Sequence, residues 1–319
     1  DVKLSKGRVT GNRNFITKIW SANNFLKLNN CKLEKKINLN TVKLPINHWI
    51  FNEFTKTQNL VTKSVENFRF DEAAKYVYQF VWHSYCDWYL EFLKPIFNSK
   101  NKDQIKEAKV FASFMMANIL KILHPFIPFF TENLWGLNNY KRVFKDYLIL
   151  SSWPNYKKLN KFSNKQNNIN DLIELISNIR STKVELKIAP KLYCDIFFNE
   201  KSEKLKKLIN SNLDLIKQVG RINNILKIKT KNKNSLEILV LKEKLSLNFN
   251  EDIDLYSQKD RILQKIDSIN KQISILNNKL KNKAYITNAP KEIVQNDKKL
   301  VKELTVEDVK LRSIVSSIN

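Results

Sequence analysis

Two heptad patterns near the C-terminus constrain the fold of this chain most. The first is a run of mostly apolar positions spaced four and three residues apart, made up of Leu255, Lys259, Ile262, Ile266, Ile269, Ile273, Leu276 and Leu280. The second has the same rhythm and consists of Ile293, Asp297, Leu300, Leu304, Glu307, Leu311, Ile314 and Ile318. Such a rhythm is typical of a coiled-coil seam. Because Pro290 stands between the patterns where a helix can start, residues 251–319 are predicted to form an antiparallel coiled-coil hairpin.

Helical periodicity also dominates residues 1–150, where prolines such as Pro45, Pro95 and Pro125 separate long segments. The stretch RFDEAAKYVYQFVWHSYCDWYLEFLKP, residues 69–95, is rich in aromatic side chains. Its apolar residues recur three and four apart, at Phe70, Ala74, Val77, Val81, Tyr85, Trp88, Phe92 and on to Ile96. We therefore predict a helix whose apolar face lies in the core of a helix bundle.

The middle of the chain has a different pattern. Residues 151–170 are polar with little apolar periodicity, and we interpret them as a linker. Residues 171–250 are predicted to be a small α/β module. Its predicted strands lie in 181–190 (STKVELKIAP), 192–198, 226–231 (LKIKTK) and 235–249, and its predicted helix is 200–219. The fold class expected from these parts is mainly α.

The charge of the chain points to a polyanionic partner. Fifty-six Lys and Arg against thirty-one Asp and Glu give a formal net charge of +25, which favours a partner such as nucleic acid. A coding sequence rich in A and T inflates Lys, Asn and Ile together, so part of this excess is open to a compositional explanation. No apolar run approaches the eighteen or so residues of a membrane span, and the chain is expected to be soluble and cytoplasmic.

Glycine and cysteine usage argues against a self-contained enzyme. The four glycines form no phosphate-binding loop, so no nucleotide cofactor is expected in this chain. The three cysteines, Cys31, Cys86 and Cys194, form no CxxC pair, so neither a metal site nor a disulfide framework is predicted. No catalytic residue is therefore assigned.

One spacing is compatible with acid–base chemistry. His83, Asp87 and Glu91 lie four residues apart on the predicted helix, which suits proton transfer. A charge bridge between bundle helices, with Arg69 or a lysine as the counter-charge, explains the same residues, and we favour this structural interpretation.

The predicted tip of the hairpin, KLKNKAY, is basic. It clusters Lys279, Lys281 and Lys283 beside Tyr285, which combines phosphate-neutralising charge with a stacking surface. The alternative is an exposed, solvated helix end.

Several sequence motifs resemble those of one protein family. GNRNFITKIWSANNFL, the aromatic stretch 69–95 and HPFIPFFTENLW, in this order, resemble the anticodon-binding domain of the valyl-tRNA synthetases. The isoleucyl and leucyl enzymes share this bundle, but CDWYLE, residues 86–91, looks like the valyl version. KLKNKAYITNAPKEIV, residues 279–294, is similar to the turn of the C-terminal arm of that family, so the resemblance covers essentially the whole chain.

The resemblance implies a division of labour. Enzymes of this family activate valine with ATP and magnesium and transfer it to tRNA, in a catalytic domain marked by HIGH and KMSKS. DVKLSKGRV resembles the passage after that domain, and the first residue is Asp1, so we expect the C-terminal part of a bacterial-type enzyme that is inactive alone. Its expected partners are valine tRNA and the missing catalytic domain, and it is expected to be a monomer with no membrane contact.

The resemblance also implies binding residues. Phe25 resembles the phenylalanine that stacks on the anticodon, with Arg8 and Arg13 as neighbours, although Asn24 stands where the family often has a basic residue. On the arm, the residues expected at the tRNA elbow are Arg261, Lys265, Lys279, Lys281, Lys283 and Tyr285. The alternative of another class is a basic helical scaffold whose seam pairs with another protein.

Overall fold

The computed structural model describes residues 5–34, 37–156, 166–198, 202–227, 235–241, 243–249 and 255–317. Within them the chain is mainly α-helical with one small sheet, which confirms the predicted fold class. It divides into two compact units, Asp1–Asn170 and Asp171–Asn319. The predicted linker 151–170 ends at this division, but residues 157–165 lie outside the described part and residues 166–170 are helical.

The first unit is a helix bundle. Its helices are α1 Lys6–Leu28, α2 Pro45–Glu66, α3 Phe70–Gln79, α4 Leu90–Phe97, α5 Lys102–Leu123, α6 Pro128–Leu137 and α7 Tyr140–Phe144. Pro45 and Pro128 each begin a helix, where proline's missing N–H leaves no bond unmade. Asn101 caps α5, since its side-chain oxygen accepts a hydrogen bond from the backbone N–H of Gln104 at 3.1 Å. Local sequence therefore sets where these helices start.

The aromatic stretch is one continuous helical run from residue 70 to residue 97, as predicted, but its middle, Phe80–Tyr89, is π-helical. A π-helix has more residues per turn than an α-helix, so the buried residues Val81, Tyr85 and Tyr89 follow each other four apart. The start of the predicted face was wrong, because Ala73 is buried instead of Ala74 and Phe70 is 54% exposed. Of the rest of the predicted face, Val77, Val81, Tyr85 and Phe92 are buried, whereas Trp88 and Ile96 are half-buried.

The second unit begins with a four-stranded sheet and the helices beside it. Its elements are α8 Gln166–Glu185, β1 Cys194–Phe198, α9 Glu203–Ser211, α10 Leu213–Gly220, β2 Ile222–Lys227, β3 Ser235–Val240 and β4 Glu243–Phe249. The strand order is β2-β1-β4-β3, in which β1 and β2 are parallel and the other pairs are antiparallel. The strands predicted in 192–198 and 235–249 are confirmed.

The strand predicted over 181–190 was wrong, because residues 181–185 are the end of α8. Apolar residues three and four apart along α8 are buried, and this helical packing overrides the β propensity of Val184 and its neighbours. Lys183 is buried as well and donates from Nζ to the carbonyl of Leu192 at 2.7 Å. The helix predicted over 200–219 is two helices separated at Asn212. Of the strand predicted over 226–231, residues 228–231 lie outside the described residues.

The chain ends in a helical hairpin, called the arm below: α11 Leu255–Lys281, α12 Lys283–Asn288 and α13 Lys291–Ser317. Its long helices are antiparallel, because contacts between them join residue 279 to 297 and residue 265 to 307. The residues of the predicted seams that are buried are Ile262, Ile266, Ile269, Leu304, Leu311 and Ile314. The hairpin prediction is therefore confirmed.

The second seam differs from the prediction at its start. Val294 is 7% exposed, whereas the predicted Ile293 is 46% exposed and Leu300 is also exposed. The packed face passes instead through residues 294, 297, 301, 304, 308 and 311, so it keeps residues 297, 304 and 311 of the prediction and replaces 293, 300 and 307 by 294, 301 and 308. Ile318 and the side chain of Leu255 lie outside what the structure describes. In the part of the chain that is described, no helix is long and apolar enough to cross a membrane.

Candidate nucleic-acid interface

Phe25, near the end of α1, belongs to a pair of stacked aromatic rings. Its ring centroid lies 5.9 Å from that of Phe97, the last residue of α4, with the planes 24° apart. Both rings are half-buried. The ammonium of Lys109, on α5, lies 5.8 Å from the Phe97 ring centroid. The structure therefore places an accessible stack of two rings beside a cation at this end of the bundle.

Local hydrogen bonds hold the α1 end that carries Phe25. The side-chain amide of Asn29 donates to the carbonyl of Phe25 at 2.8 Å. Asn30 takes a left-handed backbone conformation, which lets the N–H of Cys31 donate to the carbonyl of Leu26 at 2.9 Å. Burial raises the pKa of the Cys31 thiol to about 12, against the effect of Lys109, so Cys31 is a neutral thiol at neutral pH.

The structure does not gather the two arginines predicted beside Phe25. Arg13 is exposed on α1, and the twelve residues between it and Phe25 correspond to about 18 Å along a helix. Arg8 is farther away on the same helix, and its side chain lies outside the described ones. Phe97 stacks on Phe25 instead, and Lys109 lies beside Phe97. Sequence reasoning missed both, because they come from other helices and no local spacing links them to Phe25.

The carboxylate of Asp87 bridges two helices. Lys18 of α1 contacts it at 2.5 Å, and Nδ1 of His83 lies 3.3 Å from its other oxygen. The same Lys18 ammonium lies 3.9 Å from the centroid of the Trp82 ring. Glu91 pairs with Lys94, so it is not joined to the other two residues of the suggested proton-transfer group. The geometry supports the structural interpretation of these charges.

A second aromatic cluster was not predicted. The ring of Phe15 on α1 lies 4.8 Å from that of Tyr78, which stacks on Trp82 at 5.5 Å. Beside this cluster is a cavity of about 490 Å³, lined by apolar residues that include Leu123 and Phe126. It lies near the C-terminal end of α5, whereas Phe25 and Lys109 lie near its start.

The base of the arm holds two of the predicted RNA-contacting cations. Nζ of Lys265 lies 2.7 Å from the carboxylate of Glu185, at the end of α8, and 2.9 Å from that of Glu307 on α13. A guanidinium N–H of Arg261 donates to the backbone carbonyl of Glu185. Partial burial lowers the pKa of Lys265, but the bonds to the two glutamates outweigh it and raise the pKa overall. Both cations thus fasten the arm to α8.

The tip of the arm holds a three-residue network. Nζ of Lys279 lies 2.9 Å from Oδ2 of Asp297, which also accepts the hydroxyl of Tyr285 at 2.8 Å. The ammonium of Lys279 lies 4.6 Å from the Tyr285 ring centroid. The hydrogen bond from Lys279 lowers the pKa of Asp297, and the bond to Asp297 raises that of Lys279. The network closes the turn between α11 and α13.

Four of the six predicted elbow-contacting residues thus have partners inside the chain. Lys281 is exposed, and the side chain of Lys283 lies outside the described ones. The RNA contacts of all six stay predictions. In the described residues, no group of three or more His, Cys, Asp or Glu is arranged to hold a metal ion.

Two families of domains match the sequence. Residues 47–198 match the anticodon-binding domain of tRNA ligase, and residues 254–319 match the valyl tRNA synthetase tRNA binding arm. The first match covers α2 to β1, and the second covers the arm. The first match includes Phe97 and Lys109 but not Phe25, and the second includes the basic hairpin.

Similar proteins include valine–tRNA ligases of several bacteria. That of Pelagibacter ubique is 37% identical over 298 residues, which are 93% of this chain and 34% of the relative. Those of Bartonella quintana and Agrobacterium fabrum are 34% and 31% identical over 98% and 100% of this chain, again 34% of each relative. The chain spans about a third of the length of these curated relatives.

Proposed function

Because this chain belongs to the valine–tRNA ligase family and matches the C-terminal part of those enzymes, we propose that it is the portion that recognises a valine tRNA. The bundle of residues 1–150 binds the anticodon, and the arm of residues 251–319 contacts the tRNA elbow. The α/β module of residues 171–250 carries the arm.

The observation that carries this proposal is the stack of Phe25 on Phe97 with Lys109 beside it. Anticodon bases are unpaired, so a protein can splay them and stack them on aromatic rings. A half-buried ring is held in place by its neighbours and still offers surface to a base. The formal charge of +25 favours the same polyanionic partner.

On the arm we propose that Lys281 and Lys283 bind phosphates of the elbow, with Tyr285 beside them. Lys279, Arg261 and Lys265 remain predicted contacts, but each already has a partner in the chain. The seam between α11 and α13 is filled within one chain, which supports a monomer over a scaffold that pairs with another protein through this seam.

The chemistry of the proposed enzyme lies outside these residues. We propose that the other two thirds of a protein like its relatives carry the catalytic domain, where ATP and magnesium are used, and that this chain alone is inactive. We place the enzyme in the cytoplasm, as the expected site of translation.

Binding to RNA tests the proposal directly. We would measure the affinity of the 319-residue chain for a valine tRNA transcript and for the same transcript with an exchanged anticodon, at two salt concentrations. Replacing Phe25 by Ala should weaken binding of the valine tRNA transcript by about 5- to 150-fold if one stacked base is lost, and this reduces its preference over the exchanged transcript. The matched control is Phe129→Ala, because Phe129 is 91% exposed on α6.

Three outcomes are informative. A preference that falls in Phe25→Ala and persists in Phe129→Ala supports anticodon recognition by the bundle. Equal, salt-sensitive binding of both transcripts by the unaltered chain shows that the charge binds RNA without reading the anticodon. No binding, together with self-association in sedimentation, favours the scaffold.

A further inference from the structure

Three lysines lie on one face of α5, and one of them is next to the stacked rings of Phe25 and Phe97. Lys102, Lys106 and Lys109 are spaced four and three residues apart, so their side chains share a face of the helix. We call them the lysine row. It is about 10 Å long at 1.5 Å per residue. Its last member is the lysine whose ammonium lies 5.8 Å from the Phe97 ring centroid.

One carboxylate on the same helix, that of Glu107, is directed away from the row. Glu107, on the same helix, accepts the backbone N–H groups of Lys43 at 3.0 Å and Leu44 at 2.8 Å. It also accepts the side-chain amide of Asn47 at 2.9 Å. Its carboxylate therefore caps the start of α2 and does not neutralise the lysines.

The charge of the row is only partly compensated. Lys106 lies 4.0 Å from Glu34, and Asp103 is exposed in the first turn of α5. Among the described residues, no carboxylate lies within 4.0 Å of Lys102 or Lys109. The row also begins at the first residue of α5, where the helix dipole favours anions. This contrasts with Lys265 and Lys279 on the arm, which pair with carboxylates at under 3 Å.

We propose that the lysine row binds consecutive phosphates of the RNA strand whose bases stack at Phe25 and Phe97. The row is about 10 Å long and carries three ammonium groups on flexible side chains, so it can face more than one phosphate of an unpaired strand. The rings and the row then form one surface, in which aromatic side chains hold bases and lysines hold the backbone. This inference rests on the proposed function, since it names further residues of the anticodon-binding surface.

A solvated helix face is the competing explanation for these lysines, of which Lys102 and Lys106 are exposed and Lys109 is half-buried. The test replaces the row by glutamine, K102Q/K106Q/K109Q, in the 319-residue chain. The matched control is K6Q/K63Q/K75Q, which removes the same charge from exposed lysines away from the start of α5. Lys75, for example, lies beside the cavity near the C-terminal end of α5. Circular dichroism verifies that both variants keep their helices.

The measurement is the affinity for a valine tRNA transcript over a range of salt concentrations. Each phosphate contact to a single strand contributes about 0.7 to the slope of log affinity against log salt, so loss of three contacts should reduce that slope by about 2. The control variant should keep the slope of the unaltered chain. Lys→Arg replacements at the three positions should restore it, because they return the charge.

Equal slopes for the row variant and the control would overturn the inference while leaving the proposed function intact. A footprint adds the location: the row variant should lose protection of the anticodon-loop backbone and keep protection at the elbow. Loss at the elbow alone would also overturn the inference. If the unaltered chain does not bind the transcript, the proposed function is wrong, and so is this inference, which rests on it.

Discussion

The bundle and the arm each place a lysine over an aromatic ring, but they use the pair differently. In the bundle, Lys109 lies 5.8 Å from the Phe97 ring centroid with no carboxylate within 4.0 Å among the described residues. In the arm, Lys279 lies 4.6 Å from the Tyr285 ring centroid, and Asp297 binds both. This comparison predicts an RNA contact at Lys109, whose charge is uncompensated, rather than at Lys279.

The largest difference expected between the two regions is in their response to loss of a buried ring. Phe92 in α4 is fully buried, with its ring centroid 6.4 Å from that of Trp49 and 5.7 Å from that of Trp88. Phe92→Ala should lower the free energy of unfolding of the bundle by about 3–5 kcal/mol. Urea unfolding followed by hydrogen–deuterium exchange would assign the loss to residues 6–144.

The comparison supplies a matched control in the arm. Leu276 is only half-buried in α11, so Leu276→Ala should cost less than Phe92→Ala and leave the exchange of the bundle unchanged. A loss below about 1 kcal/mol for Phe92→Ala would contradict the assignment of the aromatic stretch to the core, since cavities of that size cost several times more.

How much could be predicted from the sequence follows from the range of each signal. The heptads and the aromatic face of residues 70–97 are local and periodic, so helices and hairpin were predicted. The boundary between helix and strand was predicted wrongly at residues 181–185. There α8 continues through Val184 because tertiary burial outweighs β propensity. The π-helical turn at Phe80–Tyr89 has no signal in a pattern that assumes 3.6 residues per turn.

The candidate site was less predictable than the fold. Phe25 was found through resemblance, but Phe97 on α4 stacks on it and Lys109 on α5 lies beside Phe97, and only the folded chain brings the three together. On the arm, the lysines had the right residue type for RNA binding. Glu185, the partner of Lys265, is remote from it in sequence, and Asp297, the partner of Lys279, lies across the hairpin turn. Spacing alone therefore did not reveal either pairing.

A smaller effect is expected at the base of the arm, where it should show whether Lys265 positions the arm or binds RNA. Replacing Lys265 by Gln removes its bonds to Glu185 and Glu307. These groups are partly exposed, so screening limits the loss of arm stability to about 1 kcal/mol or less. If Lys265 only positions the arm, affinity for a valine tRNA transcript should fall while the salt slope stays unchanged. If it binds a phosphate, the slope should fall by about 0.9.

The control for this variant is Lys271→Gln, an exposed lysine two turns farther along α11. The pKa of Lys265 offers an independent check. Because it is raised in the folded chain above its ordinary value of 10.5, the stabilisation is complete below that pH and is lost as the pH rises through the folded pKa. In Lys265→Gln the arm should therefore lose less stability than in the unaltered chain as the pH rises through this pKa. The same dependence of arm stability on alkaline pH in both chains would contradict the pairing.

The smallest effect is expected at the tip, where Asp297 holds Lys279 and Tyr285 near the surface. The hydrogen bond from Lys279 lowers the pKa of Asp297 below 3.8, so its stabilisation is present above pH 3.8 and is lost as the pH falls through the folded pKa. Asp297→Asn should make the tip slightly less stable than in the unaltered chain at pH 6. This difference should disappear at low pH, where Asp297 of the unaltered chain is protonated. Protection of the amides of residues 279–297 in hydrogen exchange measures this, and Asp260→Asn, an exposed charge on the same arm, is the control. If Asp297→Asn changes nothing at pH 6, Lys279 is as uncompensated as Lys109, and the contrast between arm and bundle does not hold at the tip.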